Sequence, residues 1–207
     1  MISNPAHSYR FRKIDVVNEI AFGLLSVQNT FAPLVYKMII IRTAIQEDVI
    51  ALRDLCIETF YKKWLSTNTE KDLQNYIGEY FSVEKISEEI ANPKVTCLLA
   101  QSGIQLVGYT KLNRDFVEGD LQNLRPMEIQ RMYVLEEFIG NGIGKQLMEK
   151  AIAISVEEKF EVMWLGVWEH NDGAVRFYKS FEFEFYGSHK FVLGEDVTTD
   201  LLMKKIL

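Results

Sequence analysis

The sequence predicts one α/β domain with a central mixed β-sheet flanked by helices. Three observations predict it. From residue 38 onward, segments with strand and helix periodicity follow in the order β-α-α-β-β-β-α-β-α-β-β. A strand pattern over residues 127–135 runs directly into a turn with glycines at 140, 142 and 144, and then into a helix. Val162–Trp168, V-M-W-L-G-V-W, is nearly all apolar, as expected for a strand buried on both faces.

Each element has its own signal. M-I-I-I-R-T-A from Met38 reads as a first strand. Q-E-D-V-I-A-L-R-D-L then opens a helix with Glu47 and Asp48 in its first turn, where acidic groups suit the helix dipole. Val49, Leu52, Leu55, Cys56, Phe60 and Trp64 recur at helical spacing. A second helical stretch follows; it is expected to break at Gly78 and to end at Pro93. V-T-C-L-L-A and I-Q-L-V-G-Y-T-K-L form a hairpin around Ser102 and Gly103. Residues 114–126 read as a polar loop, and 142–158 as a helix with Ile143, Leu147, Ala151 and Ile154 on one side. Asn171 or Asp172 can cap a helix over 173–181. F-E-F-E-F-Y alternates with period two, and K-F-V-L, the turn G-E-D and T-T-D-L-L-M-K-K-I-L close a hairpin. Residues 1–37 read as an N-terminal extension whose order the sequence leaves open, and 38–207 as the folded domain.

Composition narrows the function. The 207 residues are 48% apolar, 25% charged and 12% aromatic, values suited to a globular protein with an aromatic-walled core or pocket. The net charge of -6, with no basic run longer than two residues in the main domain, argues against a nucleic-acid partner and for a cationic substrate. Cys56 and Cys97 stand in apolar contexts outside any C-x-x-C, which argues against a metal or redox site and for a reducing compartment. No stretch reaches the ~18 apolar residues of a membrane span. Residues 10–27 outline a signal peptide, but Asn18 and Glu19 interrupt it and no clean cleavage site follows, so a cytoplasmic protein is expected. The sequence leaves open a homodimer.

Glu128 to Gly144 reads E-I-Q-R-M-Y-V-L-E-E-F-I-G-N-G-I-G. A strand, a glycine-bearing turn and a helix N-terminus suit a phosphate group, since glycines admit close approach and the first helical N–H groups are unpaired. The spacing is neither that of a Walker A loop nor that of the dinucleotide fingerprint. It resembles the acetyl-CoA loop of the GNAT superfamily of N-acetyltransferases. A second segment, L-G-V-W-E-H-N-D-G-A-V-R-F-Y-K-S-F-E-F, resembles the superfamily pattern N-x-x-A-x-x-F-Y-x-x-x-G-F. The resemblance covers residues 38–207 and implies the GNAT acyl-CoA N-acyltransferase fold.

The same resemblance implies roles. Acetyl transfer to an amine needs a base for the ammonium proton, donors for charge on the thioester carbonyl and an acid for the leaving thiolate. Glu128 is implied as the base, directly or through water, and Tyr178 as the acid beside the CoA sulfur. Strand alternation is expected to put Glu128, Gln130, Met132 and Val134 on one face. Met132, Tyr133 and Val134 are expected to meet the pantetheine arm through their backbone, where two parallel strands splay, and Asn171 through its side chain. Ile139, Gly140, Asn141, Gly142, Ile143, Gly144 and Lys145 form the pyrophosphate loop, with Lys145 as the nearest cation. The chain departs from the pattern twice: Ile139 stands where Gln or Arg is usual, and Glu182 where glycine is usual, so the turn there is expected to be altered. His170 reads as structural or surface.

Within the superfamily, three stretches resemble PaiA-like spermidine/spermine N-acetyltransferases: residues 58–81, L-G-V-W-E-H-N, and H-K-F-V-L-G-E-D-V-T-T-D-L-L-M-K-K. The resemblance implies acetyl-CoA as co-substrate, no metal and a small-molecule polyamine as acceptor. Residues 58–90 carry seven acidic and four basic side chains, with aromatic faces suited to a polycation. Tyr61, Trp64 and Glu79 are the candidate substrate contacts. Two alternatives remain open: another amine, such as a protein N-terminus, lysine or aminoglycoside, or a non-catalytic module that binds acetyl-CoA.

Overall fold

The computed structural model describes residues 38–194 and 196–207; the extension expected at 1–37 lies outside the described residues. Seven strands form one sheet among the described residues: β1 Ile39–Thr43, β2 Val95–Ser102, β3 Gln105–Arg114, β4 Pro126–Val134, β5 Val162–Trp168, β6 Glu184–Leu193 and β7 Asp196–Ile206. Their order is β1-β2-β3-β4-β5-β7-β6. Only β4 and β5 pair in parallel; every other neighbour is antiparallel. The helices are α1 Val49–Trp64, α2 Glu70–Tyr80, α3 Val83–Ala91, α4 Ile143–Glu157 and α5 Asp172–Lys179.

The sheet is apolar on both faces, and different helices cover each. Ile143, Leu147, Met148 and Ala151 of α4 pack with Leu98, Met127 and Leu165, and α5 adds Tyr178 to the same core. On the opposite face Leu52, Leu55 and Phe60 of α1 meet Leu73, Ile86, Leu99 and Tyr109. A smaller cluster of Leu121, Val162, Trp164 and Leu202 continues this second face. It shows that the expected polar loop at 114–126 is not wholly solvated. Leu121 is fully buried, and Trp164 Nε1 donates to the Phe116 carbonyl at 2.9 Å.

The expected break at Gly78 is not there. α2 runs through Gly78, which is exposed and has nothing near its Cα to clash with. The break falls at Ser82, whose hydroxyl accepts from Lys85 N at 3.1 Å and caps α3. An N-cap donor–acceptor pair decides the boundary where a single exposed glycine only weakens the helix.

Two irregularities in β4 prepare the site. Its pairing with β5 covers only Pro126–Glu128 against Val162–Trp164, although both strands continue. Beyond Glu128, β4 stays paired with β3 through Val134, so its other edge is left open toward β5. The second irregularity is a bulge. Lys111 faces Arg131 and Leu112 faces Ile129, which leaves Gln130 as the extra residue. The bulge overturns the expected grouping of Glu128, Gln130, Met132 and Val134. Met127, Ile129, Met132 and Val134 turn to the α4 side, whereas Glu128 shares the α1 side with Arg131 and Tyr133.

Candidate active site

The opening between β4 and β5 belongs to a cleft of about 700 Å³. Glu128, Met132, Tyr133, Val134, Asn171 and Tyr178 all line it. Trp64 of α1 lines its other wall, and Ile139 borders it at the loop.

The loop residues Gly140–Lys145 lie beyond this lining. Gly140 and Gly142 have φ of +87° and +74°, and no atom lies within 4 Å of where a Cβ would stand. Both the left-handed backbone and the open space above it favour glycine. α4 begins at Ile143 with no side chain capping it. The first amide to reach a helical carbonyl is that of Gln146, on Gly142 at 3.1 Å. The N–H groups of Ile143, Gly144 and Lys145 therefore remain for an anion at the positive end of the helix. Lys145 is exposed and paired with Glu149 at 3.7 Å. Ile139 is 67% exposed, so nothing in the core depends on it. An unpaired strand edge followed by a free helix N-terminus fits a ligand with an amide-bearing arm and a pyrophosphate, as coenzyme A has.

Glu128 is only 7% exposed. Burial pushes its carboxyl above the usual range, opposed by a hydrogen bond from Asn113 Nδ2 at 2.6 Å and by the nearby charges of Lys111 and Arg131. Those two cations are themselves held by the buried Glu89 of α3: Lys111 Nζ at 2.5 Å and Arg131 Nη1 at 3.1 Å. Arg131 also stacks over the Phe81 ring, 4.9 Å from its centroid. The Glu128 carboxylate thus sits in a largely dry site with a hydrogen-bond donor to steady it and cations already partnered elsewhere.

Tyr178 is 9% exposed, and burial, helped by the neighbouring Tyr133, drives its phenol well above the ordinary tyrosine value. It therefore stays protonated at neutral pH and is a donor. Asn171 caps α5, its Oδ1 accepting from Ala174 N at 3.3 Å, and it lines the cleft. His170 is exposed and sits edge-on to Trp168 at 5.3 Å. At the second departure, Glu182 adopts φ +66°, the conformation that favours glycine, and its carboxylate pairs with Lys205 Nζ at 2.6 Å. The turn is kept, not altered.

The candidate substrate contacts are only partly brought together. Trp64 lines the cleft, but Tyr61 and Glu79 do not. The Tyr61 hydroxyl donates to Glu70 on the outer surface. Glu79 borders a separate, shallower cleft of about 350 Å³. The acids of residues 58–90 mostly pair outward, as Glu58 does with Lys62 at 2.9 Å, or serve the buried network, as Glu89 does. The acidic groups that line the cleft come from the sheet and its loops: Glu128, Glu136 and Asp200.

Asp200, His189 and Trp168 are the residues sequence reasoning missed. A signal existed. A hairpin turning at Gly194 with Leu193 opposite Asp196 places His189 opposite Asp200. The alternation of β5 puts Trp164, Gly166 and Trp168 on one face. Cys56 and Cys97 are buried free thiols, raised by that burial to about 12 and about 11. Among the described residues no group of His, Cys, Asp or Glu is placed to hold a metal, and no helix is long and apolar enough to cross a membrane.

Solved structures share this architecture. A PaiA N-acetyltransferase from Thermoplasma acidophilum, determined in complex with coenzyme A, superposes with a TM-score of 0.68 at 24% identity, covering 82% of this chain and 99% of that one. A GNAT-family acetyltransferase from Streptococcus pneumoniae gives 0.62 at 20% identity, covering 82% and 100%. Both comparisons establish the fold.

The family follows from sequence. The model of the acetyltransferase (GNAT) family matches residues 50–183. An uncharacterized N-acetyltransferase from Lactobacillus delbrueckii subsp. lactis is 35% identical over 150 residues, 72% of this chain and 87% of that protein. Another from Mycobacterium bovis is 28% identical over 135 residues, 65% and 82% of the two chains. The chain belongs to the GNAT family and is an acetyl-CoA-dependent N-acetyltransferase.

Proposed function

We propose that the protein moves the acetyl group of acetyl-CoA to a primary amine of a polyamine, by direct attack in a ternary complex. The observation that carries this is the single cleft that holds Glu128 and Tyr178 at the opening between β4 and β5. Acetyl-CoA supplies the thioester; the chain supplies positioning and proton transfer. The unpaired edge at Met132, Tyr133 and Val134 and the amide of Asn171 hold the pantetheine arm, and the amides of Ile143, Gly144 and Lys145 hold the pyrophosphate. Glu128, poised by burial, takes the proton from the ammonium, directly or through a water. Tyr178, kept protonated, donates its hydroxyl hydrogen bond to the departing sulfur.

Support for a polyamine comes from the Glu128, Glu136 and Asp200 carboxylates and the Trp64, Trp168 and Phe191 rings along the cleft, and from the net charge of -6. The third stretch shared with PaiA-like enzymes contains His189 and Asp200. The test is turnover with spermidine and spermine against an amino-terminal peptide, lysine and an aminoglycoside, at one acetyl-CoA concentration. Preference for the polyamines supports the reading. Preference for another amine replaces the acceptor, and tight acetyl-CoA binding without turnover on any amine replaces the enzyme by a binding module.

A further inference from the structure

Trp168, Asp200 and His189 form one row across three strands. Asp200 is the register partner of Trp168 on β5 and of His189 on β6. Directly opposed residues of antiparallel strands share a face, and this row faces α1, since Trp168 meets Trp64 with ring centroids 5.6 Å apart. Asp200 and His189 both line the cleft.

The Asp200 carboxylate is an unmet acceptor. Its side chain is only 19% exposed, yet among the described residues it accepts no hydrogen bond. Its one partner is His189 Nε2 at 3.9 Å, and His189 Nδ1 in turn faces Glu118 at 3.6 Å. Burial raises the Asp200 carboxyl and the nearby His189 counters it. A half-buried carboxylate that opens into a cleft without a protein donor favours a cation or donor at its open side. Gly166 beneath it keeps the space open: a Cβ there would already touch Asp200 Oδ2 and His189 Nε2 at 3.5 Å, so a larger side chain would fill the place.

Trp64 lines the same cleft from the other wall, 7% exposed, its indole N–H near the Tyr133 hydroxyl but without a well-formed hydrogen bond. Asp200 calls for a cation or a strong donor. The same aromatic wall already carries one ammonium, with Lys63 Nζ 5.2 Å from the centroid of the Trp168 ring.

We infer that Asp200, steadied by His189, is a specificity subsite for a second ammonium on the acceptor. This rests on the proposal that the acceptor is an amine. Glu128 lies beside Trp164 and Asp200 beside Trp168, with the Asp200 carboxylate leaning over Gly166 between them. At ~3.3 Å per residue their register positions lie about 13 Å apart along β5, and the lean of the Asp200 carboxylate over Gly166 shortens that span toward the reach of an alkyl diamine with a hydrogen bond at each end.

The test compares wild type with Asp200→Asn on putrescine and on butylamine, which share a carbon chain and differ in the second nitrogen. The ratio of kcat/KM for diamine over monoamine falls about tenfold in the variant, the equivalent of ~1.4 kcal/mol. Asp200→Glu keeps part of that ratio. An unchanged ratio, or equal losses on both amines, overturns the subsite. Putrescine is also titrated calorimetrically into the protein saturated with CoA. Binding that weakens about tenfold in Asp200→Asn supports the subsite even where no acetyl transfer follows, and in that case the amine-acetylation proposal falls alone. No putrescine binding to the wild type overturns the subsite.

Discussion

Glu128 is a carboxylate with one neutral donor and two neighbouring cations, in a place water hardly reaches. With Glu128 as the proposed base, its raised pKa predicts that catalysis fails as pH falls through a point above the ordinary carboxylate range, because the protonated acid cannot take the amine's proton. The Asn113 hydrogen bond favours the charged form. Asn113→Leu therefore raises the carboxyl further and moves the acidic limb of kcat/KM toward higher pH; a profile identical to wild type would remove Glu128 as the base. Tyr178→Phe tests the other proton. It lowers kcat by about a hundredfold while leaving acetyl-CoA affinity nearly intact, as expected for a donor used in the transition state. Single-turnover kinetics with calorimetry on acetyl-CoA separates the two quantities. Glu182 shows a residue obeying a backbone it does not favour. The Phe181–Phe183 turn demands positive φ, and an ion pair to Lys205 holds a glutamate there.

At the scale of elements, the loop and the bulge matter most. Gly142 has φ +74° at the cap of α4. Gly142→Val forces a β-branched residue into that conformation at a cost of about 1–2 kcal/mol. It raises KM for acetyl-CoA, and thermal unfolding reports the lost stability; an unchanged KM would place the pyrophosphate elsewhere. The loop was legible because its glycines and the following helix are local. So were both departures as sequence positions, though not their outcome: Glu182 keeps the turn that its identity seemed to alter. The face of Glu128 was not legible. A bulge at Gln130 shifts the parity of β4, and a bulge depends on the partner strand, not on the residues that form it. Likewise the acids of α1 and α2 look like a cation-binding surface in sequence. In the fold they point outward, while Glu89 of α3 neutralises Lys111 and Arg131 beneath the sheet. Removing that central carboxylate strands two buried cations, so Glu89→Ala destabilises by about 3–5 kcal/mol, read from denaturant midpoints.

At the scale of the molecule, the parallel pair β4–β5 is the hinge of the whole design. Three residues of pairing hold the strands together at one end, and their divergence opens the sheet at the other. The proposed acyl-donor groups come from local sequence, on β4, the loop and α5. The proposed acceptor groups come from α1, β5 and the β6–β7 hairpin, brought together only by tertiary packing. That division explains why the acyl donor was easier to read than the amine. The most direct measurement is thiol release from acetyl-CoA in the presence of spermidine. Saturable release with one acetylated polyamine formed per thiol, slowed about a hundredfold in Tyr178→Phe, is the predicted result. Release that does not depend on the amine, or binding of acetyl-CoA with no transfer, would contradict it.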